Sequence, residues 1–301
     1  MKNFRGLVLL VLAMMLSLSL AACGGGGQQE EGQQEGGGDT GGGGGGETLT
    51  VASDIAYRPF EFVEGGEPVG FDLDLMREIG KRAGFEPRFQ NTTFDGIIPG
   101  LTSGTFEMAI SAMTITPERD QQVDFSDPYF DADQSLLVQS GSEIRSTDDL
   151  ADATVGVQLG TTGAMEANNL AQEGSIGDVR TFDTVEDAFT ALENGQVDAV
   201  LNDFPVSQTR VLQSDGALEV VQTIPTGEQY GIAFPTDSPR VEEVNRALDE
   251  IKQDGTYAEI YEKWFGRPPE SIPGVSGGGT TMGGSTMGGT TMGGGTTGGS
   301  N

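Results

Sequence analysis

The chain of 301 residues contains no histidine and a single cysteine, Cys23. Without histidine it lacks the side chain that most often serves as general base, metal ligand or proton shuttle near neutral pH. One cysteine excludes an intramolecular disulfide and a cysteine-rich zinc centre. Cationic side chains are also scarce: 16 Lys and Arg face 46 Asp and Glu, a formal net charge of −30. A surface this acidic repels phosphate backbones, so nucleic acid is not an expected partner. No glycine-rich dinucleotide fingerprint follows a strand, and neither a Walker-type phosphate loop nor a nucleophile elbow is present. No metal, cofactor or catalytic residue is therefore expected. Acidic pairs such as Asp72/Asp74 and Asp148/Asp149 carry little information in so acidic a chain.

The ends have compositions of their own. Lys2 and Arg5 precede an apolar run from Leu7 to Leu20, too short and too poorly flanked for a stop-transfer span. Residues 1–22 read as a signal peptide. The sequence Leu20-Ala21-Ala22-Cys23-Gly24 resembles the lipobox of bacterial lipoproteins, which implies a lipid on Cys23 and anchoring to the outer face of the cell membrane. Residues 23–46, nearly all Gly, Gln and Glu, read as a flexible tether. Residues 271–301 read as a disordered tail, with Thr-Thr-Met-Gly-Gly repeats around Met282, Met287 and Met292. Such tracts hold too little apolar surface to offset the entropy of ordering them.

Between these ends, strand and helix signals alternate. Leu49–Ala52 reads as a strand, and Phe60–Phe62 and Val69–Phe71 as a hairpin about Gly65-Gly66. Asp72 is expected to cap a helix whose Leu73, Met76 and Ile79 recur at helical spacing, with Gly84 ending it. Strands are expected at Phe85–Gln90, Glu107–Ile110, Val123–Phe125, Thr154–Val157, Val179–Phe182, Ala199–Asn202 and Tyr230–Phe234. Helices are expected at Phe94–Leu101, Thr162–Ala171, Thr184–Glu193, Phe204–Leu212, Pro239–Asp254 and Thr256–Phe265. This alternation predicts α/β architecture with mostly parallel sheets, whose ligand sites lie at the carboxyl ends of the strands.

Three strand ends carry chemistry. In Ser111-Ala112-Met113-Thr114-Ile115-Thr116-Pro117-Glu118-Arg119, Thr116 and Pro117 open a helical turn that would bring free N–H groups, a hydroxyl and a guanidinium together. That combination suits a carboxylate, although Arg119 could equally pair with Glu118 or Asp120. Val157 to Gly163 is a strand, a Gly/Thr loop and a helix start, a weaker anion-friendly pattern. Val200-Leu201-Asn202-Asp203-Phe204 ends a strand in a carboxylate that could cap the next helix or pair with an ammonium.

Gly70-Phe71-Asp72-Leu73-Asp74-Leu75 resembles the signature of the bacterial extracellular solute-binding proteins of family 3, the polar amino-acid receptors of ABC importers. Phe94-Asp95-Gly96, Thr116-Pro117-Glu118-Arg119, Val123-Asp124-Phe125-Ser126, Gly160-Thr161-Thr162, Tyr230-Gly231-Ile232-Ala233 and Lys263-Trp264-Phe265-Gly266 follow in the family's order. The resemblance implies a two-lobed, periplasmic-binding-protein-like fold with two crossover strands and a cleft between the lobes. It places lobe 1 at 47–130 and 230–270 and lobe 2 at 131–229. It implies that Arg119 forks onto an α-carboxylate, aided by N–H groups near Thr114 and Thr162. Asp203, the Thr114 hydroxyl and the Ala112 carbonyl would take the α-ammonium. Tyr57 and Phe94 would sandwich the ligand side chain, and Asp54 and Gln158 would line the far end.

The implied partners are a polar amino acid, with glutamine or a basic amino acid favoured, and an ABC permease; a monomer is expected. Two rivals stand beside this reading: a cyclohexadienyl-dehydratase-like enzyme on the same fold, and an amino-acid sensor for a membrane receptor.

Overall fold

The computed structural model describes residues 46–275. The signal peptide, Cys23, the tether up to residue 45 and the Met-bearing repeats lie outside the described residues. Two five-stranded sheets, each flanked by helices, form two lobes.

The first sheet has the order β4-β1-β5-β12-β6, with β1 Glu47–Ser53, β4 Phe85–Asn91, β5 Met108–Ala109, β6 Asp124–Phe125 and β12 Ala233–Phe234. β1 pairs parallel with β4 and β5, whereas β12 runs antiparallel between β5 and β6. A hairpin of β2 Phe62–Glu64 and β3 Glu67–Val69 leads into helix α1 Phe71–Ala83. Leu73, Met76 and Ile79 are fully buried on α1, as their spacing predicts, and Gly84 closes the helix in the left-handed conformation. α2 Phe94–Thr102 and the short α3 Pro117–Asp120 complete the inner side of this lobe, and α7 Arg240–Asp254 and α8 Thr256–Phe265 return to pack on it.

The second sheet has the order β11-β7-β10-β8-β9. It is built from β7 Phe130–Gln139, β8 Thr154–Gln158, β9 Asp178–Phe182, β10 Ala199–Asp203 and β11 Leu218–Tyr230. β10, β8 and the edge strand β9 are parallel, with crossover helices α4 Thr162–Gln172 and α5 Val185–Glu193, and α6 Phe204–Gln213 follows β10. β7 and β11 run antiparallel. These two strands also carry the chain between the lobes. Where they meet the first lobe, Phe130 and Tyr230 are register partners with stacked rings 5.6 Å apart. Phe60 packs edge-on against both, at 4.9 and 5.4 Å, so an aromatic cluster anchors the crossovers.

Three sequence expectations need correction. Asp72 is not the N-cap of α1; Gly70 is, with no side-chain cap. Gly70 has φ 140°, and a Cβ there would meet the Phe60 carbonyl oxygen at 2.0 Å, so glycine is required. Asp72 lies one position into the helix, fully buried. Second, Tyr230–Phe234 is not one strand: Tyr230 ends β11, and β12 holds only Ala233 and Phe234. Third, the first residues of the expected tail are ordered. Ile272 packs against the main core, and the Ser271 hydroxyl donates to Asp131 at 3.3 Å.

Candidate functional site

The carboxyl ends of β1, β5, β8 and β10 and the N-termini of α2 and α4 converge on one cavity of about 280 Å³, counting all space between its lining atoms. All nine ligand-site residues selected from the sequence line it. Glu61, Ser111 and Thr161 line it as well and were not selected.

Arg119 stands on α3, where the Thr116 side chain accepts from the Arg119 N–H at 3.2 Å and Pro117 occupies the first helical position. Its guanidinium is buried beside the face of Phe94, 5.2 Å from the ring centroid. One nitrogen donates to the Thr114 carbonyl at 2.7 Å and another to the Gly160 carbonyl at 3.0 Å, one acceptor from each lobe. Neither Glu118 nor Asp120 pairs with it: the ion pairs of the described residues do not include Arg119. Burial lowers its pKa, and the negative charges of Asp203 and Glu228 partly restore it. Gly160, at φ 81°, brings the second lobe against Asp95 at the start of α2, where a Cβ would lie 3.2 Å from that of Asp95.

Asp203 ends β10 and occupies the cap position of α6, but its carboxylate does not cap the helix. It accepts from the Tyr57 hydroxyl at 2.9 Å, from the Tyr230 hydroxyl, and from Gln134 Nε2 at 2.5 Å. Burial raises its pKa to about 6, against the lowering effect of the Tyr230 hydrogen bond; the Glu228 charge adds to the rise. Tyr57 therefore brings its ring to the cavity and its hydroxyl to Asp203. Asp54 sits beyond the end of β1 and accepts from Gln158 Nε2 at 2.5 Å. Burial raises Asp54 to about 6 too, tempered by that hydrogen bond.

A second acidic pair supports the cavity wall. Ser111 Oγ accepts from the Asp54 N–H at 2.9 Å and donates to Glu61 Oε1 at 2.9 Å. Asp72 Oδ2 accepts from the Ala112 N–H at 2.8 Å and the Tyr129 hydroxyl at 2.7 Å. These bonds hold Ala112 at φ 44°, a left-handed conformation that costs a non-glycine residue about 1 kcal/mol or more. Glu61 Oε2 and Asp72 Oδ1 are buried without a hydrogen-bond partner. Burial, reinforced by the Asp72 charge, pushes the Glu61 carboxyl well above the usual range.

Residues 49–267 match the bacterial extracellular solute-binding proteins, family 3. The chain belongs to that family. It is 36% identical over 222 residues to the probable histidine-binding protein of Neisseria gonorrhoeae, covering 72% of this chain and 82% of that one. It is 33% identical over 221 residues to the arginine-binding extracellular protein ArtP of Bacillus subtilis (strain 168), covering 72% and 86%. Among solved structures, an ancestral arginine-binding protein bound to arginine superposes with a TM-score of 0.70 and 44% identity, over 72% of this chain and 98% of that one. The two-lobed fold is thus shared with solute-binding proteins, and these relatives of the family-3 chain are binding proteins rather than enzymes.

Glu61, Ser111 and the bracing residues Gln134, Glu228 and Tyr230 escaped the sequence reading. Their partners lie 27 to 114 positions away, so although Ser111 and Tyr230 fall within quoted motifs, no local pattern gives any of the five a role. The one available signal was Glu61 within an otherwise apolar Phe60–Val63 run.

Proposed function

We propose that this chain is the extracytoplasmic receptor of an ABC importer and captures a polar amino acid, a basic one first, by closing its lobes. The observation that carries this reading is that Arg119 and Asp203 line one cavity without forming an ion pair with each other. A buried zwitterion needs each charge met, and a guanidinium opposed by a carboxylate meets both. Closure of the lobes would bury the ligand, and the permease would receive the closed form. The lobes in this reading are 47–130 with 230–270, and 131–229.

The charge balance favours a cationic side chain. The acidic side chains on the cavity wall, Asp54, Glu61 and Asp203, outnumber its one lining cation, Arg119. A cationic side chain, as in arginine or lysine, offsets that imbalance and the amide of glutamine does not. Asp54 and Gln158 would receive the far end of the side chain, and the faces of Tyr57 and Phe94 suit an aliphatic stem or a cation. The lipobox around Cys23 supports lipid anchoring at the outer face of the membrane, and the anchored chain is proposed to act as a monomer.

Calorimetric titration with the standard amino acids tests the proposal. One-to-one binding of a basic amino acid is expected, with glutamine weaker, and Arg119→Ala should cost more than about 3 kcal/mol. Absence of any amino-acid binding, or affinity unchanged in Arg119→Ala, would overturn it.

A further inference from the structure

Glu228 lies near the end of β11, just past the place where its register against β7 slips, and is half-buried beside the cavity. Its Oε2 accepts from the Thr114 hydroxyl at 2.8 Å and from the Thr162 hydroxyl at 2.7 Å. Gln134 Nε2 lies 3.3 Å from both of its carboxylate oxygens. Thr114 follows β5 in the first lobe and Thr162 opens α4 in the second, so one oxygen joins two hydroxyls across the cleft. The backbone fixes this meeting. Thr114 forms a bridge with Tyr230, and the neighbouring Ile115 N–H donates to the Gln229 carbonyl at 2.8 Å. Glu228 and Tyr230, two apart on the strand, therefore present their side chains on the same side, and Tyr230 reaches Asp203.

A carboxylate accepts and cannot donate, and a hydroxyl carries one hydrogen. With both threonine hydrogens turned to Glu228, only lone pairs remain for any other partner. The Gln134 amide corroborates this at Thr162, donating to that hydroxyl oxygen at 3.3 Å. We infer that Glu228 is a specificity-setting positioning residue: by holding the hydrogens of Thr114 and Thr162, it makes both hydroxyls acceptors toward the cavity. They then accept from a ligand's α-ammonium, and a group in that place that can only accept finds no donor. The inference rests on the amino-acid reading above.

A double-mutant cycle on the full chain, titrated with L-arginine and with L-glutamine, tests it. In Glu228→Gln the amide can donate as well as accept, so the hydroxyls are no longer held in one orientation. Glu228→Gln is expected to weaken L-arginine binding roughly tenfold in the wild-type background and less than about threefold in Thr114→Val. The same direction is expected with L-glutamine, because the effect concerns the α-ammonium. Thr162→Val supplies the cycle from the other lobe if Thr114→Val binds too weakly to measure. Additive losses in the cycle, or Glu228→Gln binding as the wild type does, would overturn the inference while leaving the amino-acid reading intact. Absence of wild-type binding to every amino acid would overturn both.

Discussion

Two buried acidic clusters border the same cavity, and they are built differently. Glu61 and Asp72 meet a backbone N–H, a serine and a tyrosine, and burial raises both carboxyls. Asp203 meets the hydroxyls of Tyr57 and Tyr230 and the amide of Gln134, with Glu228 nearby. The first cluster draws its hydrogen bonds from within one lobe and fixes the conformation of Ala112. The second gathers donors from both lobes, all of them neutral, and has no cation pairing with it directly. Burying a carboxylate costs several kcal/mol unless a cation or a proton compensates. In the first cluster burial favours the protonated form, most of all at Glu61; the second suits a cation brought by the ligand.

The largest expected effect breaks the second cluster. Asp203→Asn should weaken amino-acid binding by about 3 kcal/mol, roughly a hundredfold, with the fold retained. Calorimetry on the variant checks this, and an affinity within twofold of wild type would show that Asp203 takes no part in binding. Next comes the first cluster. Asp72→Ala leaves the Ala112 N–H and the Tyr129 hydroxyl unpaired and should cost about 2 to 3 kcal/mol in urea unfolding. A loss below about 1 kcal/mol would mean that the pair does not hold the wall.

The smallest effect separates the clusters by pH. Burial raises Asp54 and Asp203 from the ordinary 3.8 to about 6 in the folded chain. A carboxyl raised on folding stabilises most below its unfolded pKa and loses that contribution as pH climbs through the folded value. The ligand-free protein should therefore melt lower at about pH 7 than at about pH 5 as these two groups ionise. Binding of a basic amino acid needs the carboxylates ionised and should run the other way, weakening as pH falls below about 6. Scanning calorimetry and titration at matched pH values measure the two slopes; slopes of the same sign would contradict this assignment.

How much of this was legible in the sequence depends on the distance over which each residue acts. The helices were legible because their signals are local: Leu73, Met76 and Ile79 at helical spacing, Thr116 before Pro117, Gly84 after α1. The cavity walls were legible because short polar runs end apolar strands, and the resemblance gave each position a role. β7 and β11 were not read at full length. In Phe130–Gln139 polar residues interrupt the apolar run, and β11 holds Pro225 and Gly227. Asp72 was misread for a related reason. An acidic residue in the first turn of a helix looks like a cap, and only the folded chain shows that its partners are Ala112 and Tyr129, 40 and 57 positions away.

The place of β12 has a consequence for the order in which the chain can be completed. β6 joins the first sheet through β12, and β12 is itself the last strand to emerge. A nascent chain ending at residue 229 holds every β-strand of the second lobe except the last residue of β11, yet its first sheet has β4, β1 and β5 with β6 left unpaired. The lobe that begins the polypeptide is thus finished last. A chain released residue by residue from a ribosome or a translocation channel closes its middle before its beginning.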